Sequence, residues 1–266
     1  MKFFILAFLT AAGTLFAHPI VENLNTSYYS HLQGIAADET GVYWTFTDVI
    51  VKTDYKCNVL KEVKLPPHMG DLCIVDGDIF IAADFRKPQD IAANSNKKSA
   101  VLQFGKDLVL KRKHTLDITY GIDGITFCNG KFYIAPGLGK TPKKETVIMV
   151  FDRNFKLLKE ARFKTGTSMK FGAQNLTCIN GLILAAYYDD GKCSFILDPE
   201  TFKIVAVTEL RPSTGLTSVP EKIAGNKNTY LIGRLQGKRG DWKCSFRSLI
   251  LTPDWKFLNT ELDKKK

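Results

Sequence analysis

A phrase that recurs five times constrains this chain more than any single residue does. Each copy is a short apolar run, a polar turn and a second run, and the copies begin at Val51, Leu102, Val150, Ile196 and Ile250. The copies lie roughly 46–54 residues apart, which is the range of propellers and other repeat arrays. A propeller has one usual functional place, the mouth of its central channel. The repeat therefore predicts where a site lies without identifying its chemistry.

A predicted hairpin precedes each copy of that phrase. Its strands are apolar and rich in β-branched and aromatic residues, and three of the five turns are Asp76-Gly77, Asn129-Gly130 and Asn180-Gly181. Asp-Gly and Asn-Gly are strong hairpin signals because both residues tolerate a positive φ. Each repeat therefore predicts four antiparallel strands, of which the first is the innermost.

The sequence thus predicts an all-β fold, a five-bladed β-propeller with four antiparallel strands in each blade. A single domain would cover residues 18–266, with blades at about residues 32–65, 71–116, 124–163, 175–210 and 222–262. We expect the segment from His18 to Ser30 to pack on blade five and help to close the ring. The alternative architecture is a β-sandwich with irregular loops.

The N-terminus has the pattern of a signal peptide. Lys2 is followed by an apolar run from Phe3 to Ala17, interrupted only by two threonines and shorter than the roughly 18–20 residues that span a bilayer. We therefore expect residues 1–17 to be removed and the mature chain to be secreted or periplasmic. The later sequence predicts no transmembrane segment, and we expect a monomer.

The six cysteines suit an exported protein, since an even number permits disulfides. Cys73, Cys128 and Cys178 each lie in an apolar strand of a different repeat, where a free cysteine behaves as a small buried hydrophobe. One disulfide is compatible with the sequence, and its pairing stays open.

The net charge of +10 limits the classes of partner that we expect the protein to bind. An exported basic protein meets anionic polymers and lipid head groups more often than it meets nucleic acid. We expect an anionic small molecule, a glycan or a cell-surface polymer as partner, and no nucleic acid. The alternative is that the charge serves solubility only.

Three segments resemble the blades of known secreted propellers. They are Gln33-Gly34-Ile35-Ala36, Asp123-Gly124-Ile125 and Phe151-Asp152-Arg153-Asn154-Phe155. On these segments the chain resembles the broad group of five- or six-bladed propellers with NHL, YVTN and regucalcin or gluconolactonase-like repeats. That group includes lactonases, nucleotidases, lyases and binding scaffolds, so the resemblance implies a fold and leaves the activity open. Regucalcin-like propellers hold a divalent metal at the mouth, and the resemblance implies calcium or another divalent cation as a candidate cofactor here.

In such propellers the innermost strands begin at the mouth, and the loops between second and third strands lie there too. This rule places a ring of polar side chains at the mouth: Gln33, Asp71, Asp84, Asp123, Gln174, Asn175, Tyr187, Glu221 and Arg234. We interpret this ring in three ways, which are a metal site, a set of direct ligand contacts, or polar caps on the strand ends.

The metal interpretation assigns Asp71, Asp123, Asn175 and Glu221 as candidate ligands, because calcium takes oxygen atoms from carboxylates and amides. In a metal-assisted hydrolase or lactonase, Asp123 or Glu221 would be the catalytic base. The sequence contains no visible nucleophile–base pair, so whether the protein is an enzyme stays open.

Basic loops surround the predicted mouth in blades two, three and five, and the loop of blade five adds Trp242. Clustered cations would attract an anion, and a tryptophan can stack on a sugar or a base. We therefore predict an exported protein that binds an anionic or saccharide-like ligand at the mouth, with Arg234 as its main anchor beside Glu221. The predicted ligand-binding residues are Gln33, Asp71, Asp84, Gln174, Asn175, Tyr187, Arg234 and Trp242. The alternative function is a metal-assisted, calcium-type hydrolase or lactonase with its site at the same mouth.

Overall fold

The structure, a computed structural model, describes residues 21–66, 68–85, 99–118, 121–137, 143–169, 171–187 and 194–259. These residues form five separate antiparallel sheets, which are the blades of a five-bladed β-propeller. The fold class predicted from the sequence is therefore confirmed. The predicted signal peptide, residues 1–17, lies outside the described residues.

The first four blades each consist of four strands that pair in chain order. Blade one contains β2 (Leu32–Asp38), β3 (Gly41–Phe46), β4 (Val49–Thr53) and β5 (Val59–Lys64). Blade two contains β6 (Met69–Val75), β7 (Asp78–Asp84), β8 (Ser99–Phe104) and β9 (Leu110–Thr115). Blade three contains β10 (Gly121–Cys128), β11 (Lys131–Gly137), β12 (Lys143–Phe151) and β13 (Leu157–Met169). Blade four contains β14 (Ala173–Ile179), β15 (Leu182–Tyr187), β16 (Ser194–Leu197) and β17 (Ile204–Thr208).

Blade five closes the ring with a strand from the other end of the chain. It contains β18 (Leu216–Ser218), β19 (Thr229–Lys238), β20 (Asp241–Leu251) and β21 (Phe257–Asn259). The outer edge of β20 pairs with β21 and also with β1 (Val21–Tyr28), which precedes blade one. The expectation that the N-terminal segment packs on blade five is confirmed.

The start of blade five differs from the prediction. The sequence placed its first strand from about Lys222, but the innermost strand is the earlier three-residue β18. A short helix follows, α1 (Glu221–Ala224), with Pro220 before it and Gly225 in a left-handed conformation after it. Proline suits a helix start and glycine a helix end, so the local sequence itself favours this turn of helix.

The hydrophobic core is divided among the blade interfaces. Five clusters of buried side chains lie between neighbouring blades, one at each interface. At the interface of blades five and one, Trp44 stacks on Phe246 with ring centroids 5.6 Å apart, and Leu24 of β1 joins the same cluster. The N-terminal strand therefore contributes apolar burial as well as backbone pairing to the closure.

The three predicted hairpin turns have the backbone conformation that their sequences favour. Asp76-Gly77, Asn129-Gly130 and Asn180-Gly181 all have positive φ at both residues, as a type I′ hairpin requires. These turns end the innermost strands of blades two, three and four at the face opposite the mouth, so they fix which end of these three blades faces the mouth.

Two cysteines depart from the expectation that they are free hydrophobes. Cys128 and Cys178 form a disulfide across the Cα–Cα distance of 5.4 Å, and they tie the inner strands of blades three and four together. Cys73 is free, as expected. A disulfide is compatible with an exported protein. In the described part of the chain, no helix has the length and apolar character to cross a membrane.

Candidate functional site

The centre of the ring is held by a buried carboxylate. Asp71, at the start of the inner strand of blade two, is 3% exposed. Its Oδ2 accepts hydrogen bonds from the backbone N–H of Leu176 at 3.0 Å and of Ile125 at 3.4 Å. One side chain thus joins three blades, because these donors belong to blades four and three.

Burial dominates the electrostatics of this carboxylate. Desolvation raises the pKa of Asp71 to about 8, although hydrogen bonds from Leu176, Asn175, Leu72 and Ile125 act in the opposite direction. Burial therefore favours the protonated carboxyl group, whereas the hydrogen bonds favour the carboxylate. An acceptor that receives backbone N–H groups from two other blades is suited to locking the ring.

The residues around Asp71 are also buried. Asn175 is 0% exposed, and its Nδ2 donates to the backbone oxygen of Gln33 at 2.8 Å across the ring. A Cβ added to Gly34 would lie 2.5 Å from Asp71 Oδ1, so a glycine is needed there for the close approach. The interpretation of strand-end polar groups as structural caps fits Asp71 and Asn175.

Four further residues of the predicted ring lie at the rim of the mouth, in two hydrogen-bonded clusters. Gln174 Nε2 donates to Asp123 Oδ2 at 3.2 Å, and both residues are half-buried. Gln33 Nε2 lies 3.2 Å from His68 Nε2, and the backbone of His68 exchanges two hydrogen bonds with that of Asp84. These residues lie at the mouth, as predicted.

Tyr187 and Arg234 line one cavity of about 630 Å³ at the mouth, between blades four, five and one. We call it the mouth cavity. Its lining includes three arginines, Arg211, Arg234 and Arg247, and among the described lining residues Glu209 is the single carboxylate. His31 also lines it, and burial together with nearby His68 lowers the pKa of His31, which favours the neutral imidazole.

The sequence-based prediction omitted three residues that line this cavity, namely Arg211, Arg247 and Glu209. Arg211 and Glu209 lie in the segment between the outer strand of blade four and the inner strand of blade five. The rule that loops entering the inner strands share the mouth could have found both. Arg247 lies within β20, where no loop signal marks it.

Trp242 lies in a different cavity. It lines a cleft of about 910 Å³ between the end of β1, the β19–β20 hairpin and the outer part of blade one. His31 lines both this cleft and the mouth cavity. Of the eight predicted ligand-binding residues, Tyr187 and Arg234 thus line the mouth cavity, Trp242 lines the neighbouring cleft, and the other five line neither.

The prediction that placed Glu221 at the mouth beside Arg234 is wrong. Glu221 begins α1, which follows the far end of the innermost strand of blade five. The neighbouring Lys222 forms an ion pair of 3.6 Å with Glu39, which lies in the turn between β2 and β3. That turn is at the opposite face of the propeller, so Glu221 cannot share a site with Asp71, Asp123 or Arg234.

This displacement removes one of the four candidate metal ligands. Within the described ranges, no group of three or more His, Cys, Asp or Glu side chains is placed to hold a metal ion. Calcium also takes amide oxygens, so a site that draws on Asp71, Asp123 and Asn175 stays a prediction. The basic loops of blades two and three, residues 86–98 and 138–142, lie outside the described residues.

Comparison with solved structures shows similar folds at low sequence identity. A glutaminyl cyclase of Myxococcus xanthus is 12% identical, with a TM-score of 0.60 over 89% of this chain and 99% of that one. A protein of unknown function from Bacteroides caccae is 13% identical, with a TM-score of 0.53 over 91% and 94% of the two chains. A gluconolactonase of Xanthomonas campestris is 13% identical, with a TM-score of 0.51 over 82% and 72%.

No protein-family model and no curated protein matches the sequence. At these identities the likeness to the three structures concerns the fold alone. It agrees with the repeat-level resemblance that the sequence showed to gluconolactonase-like propellers. The chain is a five-bladed β-propeller with a cationic cavity at its mouth.

Proposed function

We propose that this protein binds a small anionic ligand in the mouth cavity, through carboxylate or phosphate groups of that ligand. The observation that carries the proposal is the presence of Arg211, Arg234 and Arg247 around one cavity with a single carboxylate, Glu209. Guanidinium groups bind carboxylate and phosphate oxygens through paired hydrogen bonds, which favours such a ligand over a neutral one.

The state of the two more exposed arginines supports this proposal. Arg211 and Arg234 are exposed, and in the part of the chain that the structure describes neither takes part in an ion pair. An arginine that already binds a carboxylate would have to lose that partner before it could bind a ligand. Here the positive charge is available at the mouth, where an anion would be drawn in by the summed field.

The neutral side chains of the cavity would complete the site. Tyr187 is 3% exposed and its ring packs edge-on against Phe195, so its position is fixed. Ser213 and Thr214 line the same cavity, and Thr214 Oγ1 donates to the backbone oxygen of Gly233 at 2.7 Å. A rigid wall with a few polar groups is typical of a small-molecule site.

Isothermal titration with D-galacturonate and glucose 6-phosphate tests this proposal, with galactose and glucose as the matched uncharged probes. We expect at least one anion to bind, and its affinity to fall as salt rises because the mouth is exposed to solvent. Equal binding of the charged and uncharged sugars, or the absence of binding by both anions, would refute the proposal.

The alternative proposal is hydrolysis at the same mouth. Support comes from the fold-level likeness to a gluconolactonase, and Asp123 is the mouth carboxylate that would serve as base. The likeness to a glutaminyl cyclase adds cyclisation of N-terminal glutamine as a second activity to assay. Turnover of a lactone or of a glutamine peptide that is lost in Asp123→Asn would favour an enzyme. A calcium titration of chelator-treated protein tests the metal requirement.

A further inference from the structure

The cleft that contains Trp242 has the features of a second binding site. It has a volume of about 910 Å³, which lies in the upper part of the range of small-molecule sites. Three segments form its walls, namely the end of β1, the tip of the β19–β20 hairpin, and the β3–β4 turn with the outer strand of blade one. We call it the seam cleft, because it lies where the last and first blades meet.

Aromatic rings line the seam cleft. Tyr28 lies directly opposite Trp242 in the pairing of β1 with β20, so both side chains extend from the same face of the sheet. Tyr28 stacks on Phe46 with ring centroids 4.1 Å apart, which fixes this face against blade one. Tyr29 is 63% exposed, so its ring is accessible to a ligand.

The hairpin tip that carries this wall is held in place. The backbone N–H of Gly240 donates to the backbone oxygen of Tyr29 at 3.0 Å. The guanidinium carbon of Arg239 lies 5.5 Å from the centre of the Tyr29 ring. These two contacts tie the tip of the hairpin to the end of β1, so the aromatic groups and Arg239 form one preorganised surface.

The polar groups of the cleft are balanced in charge. Asp48 and Glu62 line it together with Lys64 and Arg239, which gives two groups of each sign. Ser30 Oγ donates to Asp48 Oδ1, and Tyr28 Oη donates to Glu62 Oε2 at 3.4 Å, so both carboxylates have fixed orientations. The mouth cavity, by contrast, has three arginines for one carboxylate.

We propose that the seam cleft binds a neutral oligosaccharide. A sugar ring has an apolar C–H face that packs on aromatic rings and a rim of hydroxyls that hydrogen-bond to carboxylates and guanidinium groups. The cleft supplies both kinds of partner without a net charge that would select an ion. Its volume exceeds that of the mouth cavity, which suits more than one sugar ring. The seam cleft shares only His31 with the lining of the mouth cavity, and this proposal does not depend on the anion site.

The test uses the full chain and four neutral probes: cellotetraose, xylotetraose, mannotetraose and maltotetraose. Saturation-transfer NMR detects binding, and calorimetry measures affinity. We expect at least one probe to bind in the millimolar range or tighter, and Trp242→Ala and Tyr29→Ala each to weaken it about tenfold or more through the loss of ring stacking. Trp242→Phe should retain part of the affinity, since it keeps an aromatic ring.

Two controls separate this proposal from the others. Trp255→Phe alters a tryptophan in the turn between β20 and β21, at the opposite face of blade five, and should leave sugar binding unchanged. Arg234→Ala should likewise leave it unchanged, because Arg234 does not line the seam cleft. The proposal is overturned if none of the four sugars binds, or if folded Trp242→Ala and Tyr29→Ala bind them as the unaltered protein does.

Discussion

The backbone N–H of Leu176 donates a hydrogen bond of 3.0 Å to the carboxylate of Asp71, which joins blade four to blade two across the channel. The same carboxylate accepts from Ile125 of blade three. A buried group with several donors is costly to remove, since each orphaned N–H loses its partner without gaining water. Asp71, at the centre of the mouth, therefore has the structural role that one of the three interpretations of the polar ring assigned to it.

Stability should fall as pH rises, because of Asp71. Its pKa is about 8 in the folded protein against an ordinary value of 3.8, so between these values the folded state holds one proton more than the unfolded state. The free energy of unfolding should then decrease by at most about 1.4 kcal/mol per pH unit over this window. Urea unfolding at a series of pH values measures it.

Asp71→Asn is the matched control for that measurement. An asparagine keeps the shape and one acceptor oxygen, and it has no proton to lose. We expect the difference in stability between the unaltered protein and the variant to shrink as pH rises from about 4 to about 8. Other titrating groups, including His31, are present in both proteins and cancel. Parallel stability curves would show that Asp71 does not titrate in this range.

The disulfide gives a second prediction. Cys128→Ser with Cys178→Ser should lower the free energy of unfolding by roughly 2–4 kcal/mol, because the bond constrains the unfolded chain over a separation of 50 residues. Peptide mapping without reduction should recover the two cysteines in one linked fragment. Recovery of both as free thiols from exported protein would contradict the pairing.

Closure of the ring by β1 gives a third prediction. Leu24 is 6% exposed within the cluster between blades five and one, so Leu24→Ala should cost about 2–5 kcal/mol. Asn25 is the exposed neighbour on the same strand, and Asn25→Ala should change stability by less than about 0.5 kcal/mol. Equal effects of the two changes would mean that β1 pairs with β20 without contributing to the core.

Much of the fold could be predicted because local chemistry repeats in every blade. The Asn-Gly and Asp-Gly turns fix three hairpins, and the recurring apolar runs fix their partners. The start of blade five was predicted too late in the sequence, because its inner strand has only three residues. That is too few to show an alternation of apolar and polar side chains. The prediction therefore put Glu221 at the mouth, whereas it begins a helix at the opposite face.

The site was harder to predict, because it depends on distance across the ring. The sequence located Tyr187 and Arg234 at the ends of strands, and they do line one cavity. It could not show that Trp242 belongs to a neighbouring cleft, nor that Arg247 reaches the mouth from within a strand. Burial raises the pKa of Asp71, and burial is a property of the assembled ring.

Arg234 gives the fourth prediction, which concerns affinity for the anionic probe. Arg234→Ala should weaken binding by roughly 1.5–3 kcal/mol, the usual size for a hydrogen bond to a charged group. Arg234→Lys keeps the charge and loses the planar fork, so its affinity should be intermediate. Arg153→Ala removes an exposed arginine that pairs with Asp76 at the opposite face, and it should leave affinity unchanged. Similar losses in Arg153→Ala and Arg234→Ala would point to a general effect of charge.

The most direct measurement of anion binding is a crystal structure of the protein soaked with whichever of D-galacturonate and glucose 6-phosphate binds more tightly. We predict that the carboxylate or phosphate of this ligand lies in the mouth cavity, within hydrogen-bond distance of Arg211 or Arg234. Well-defined ligand density elsewhere, with the mouth cavity occupied by solvent alone, would contradict the proposed function.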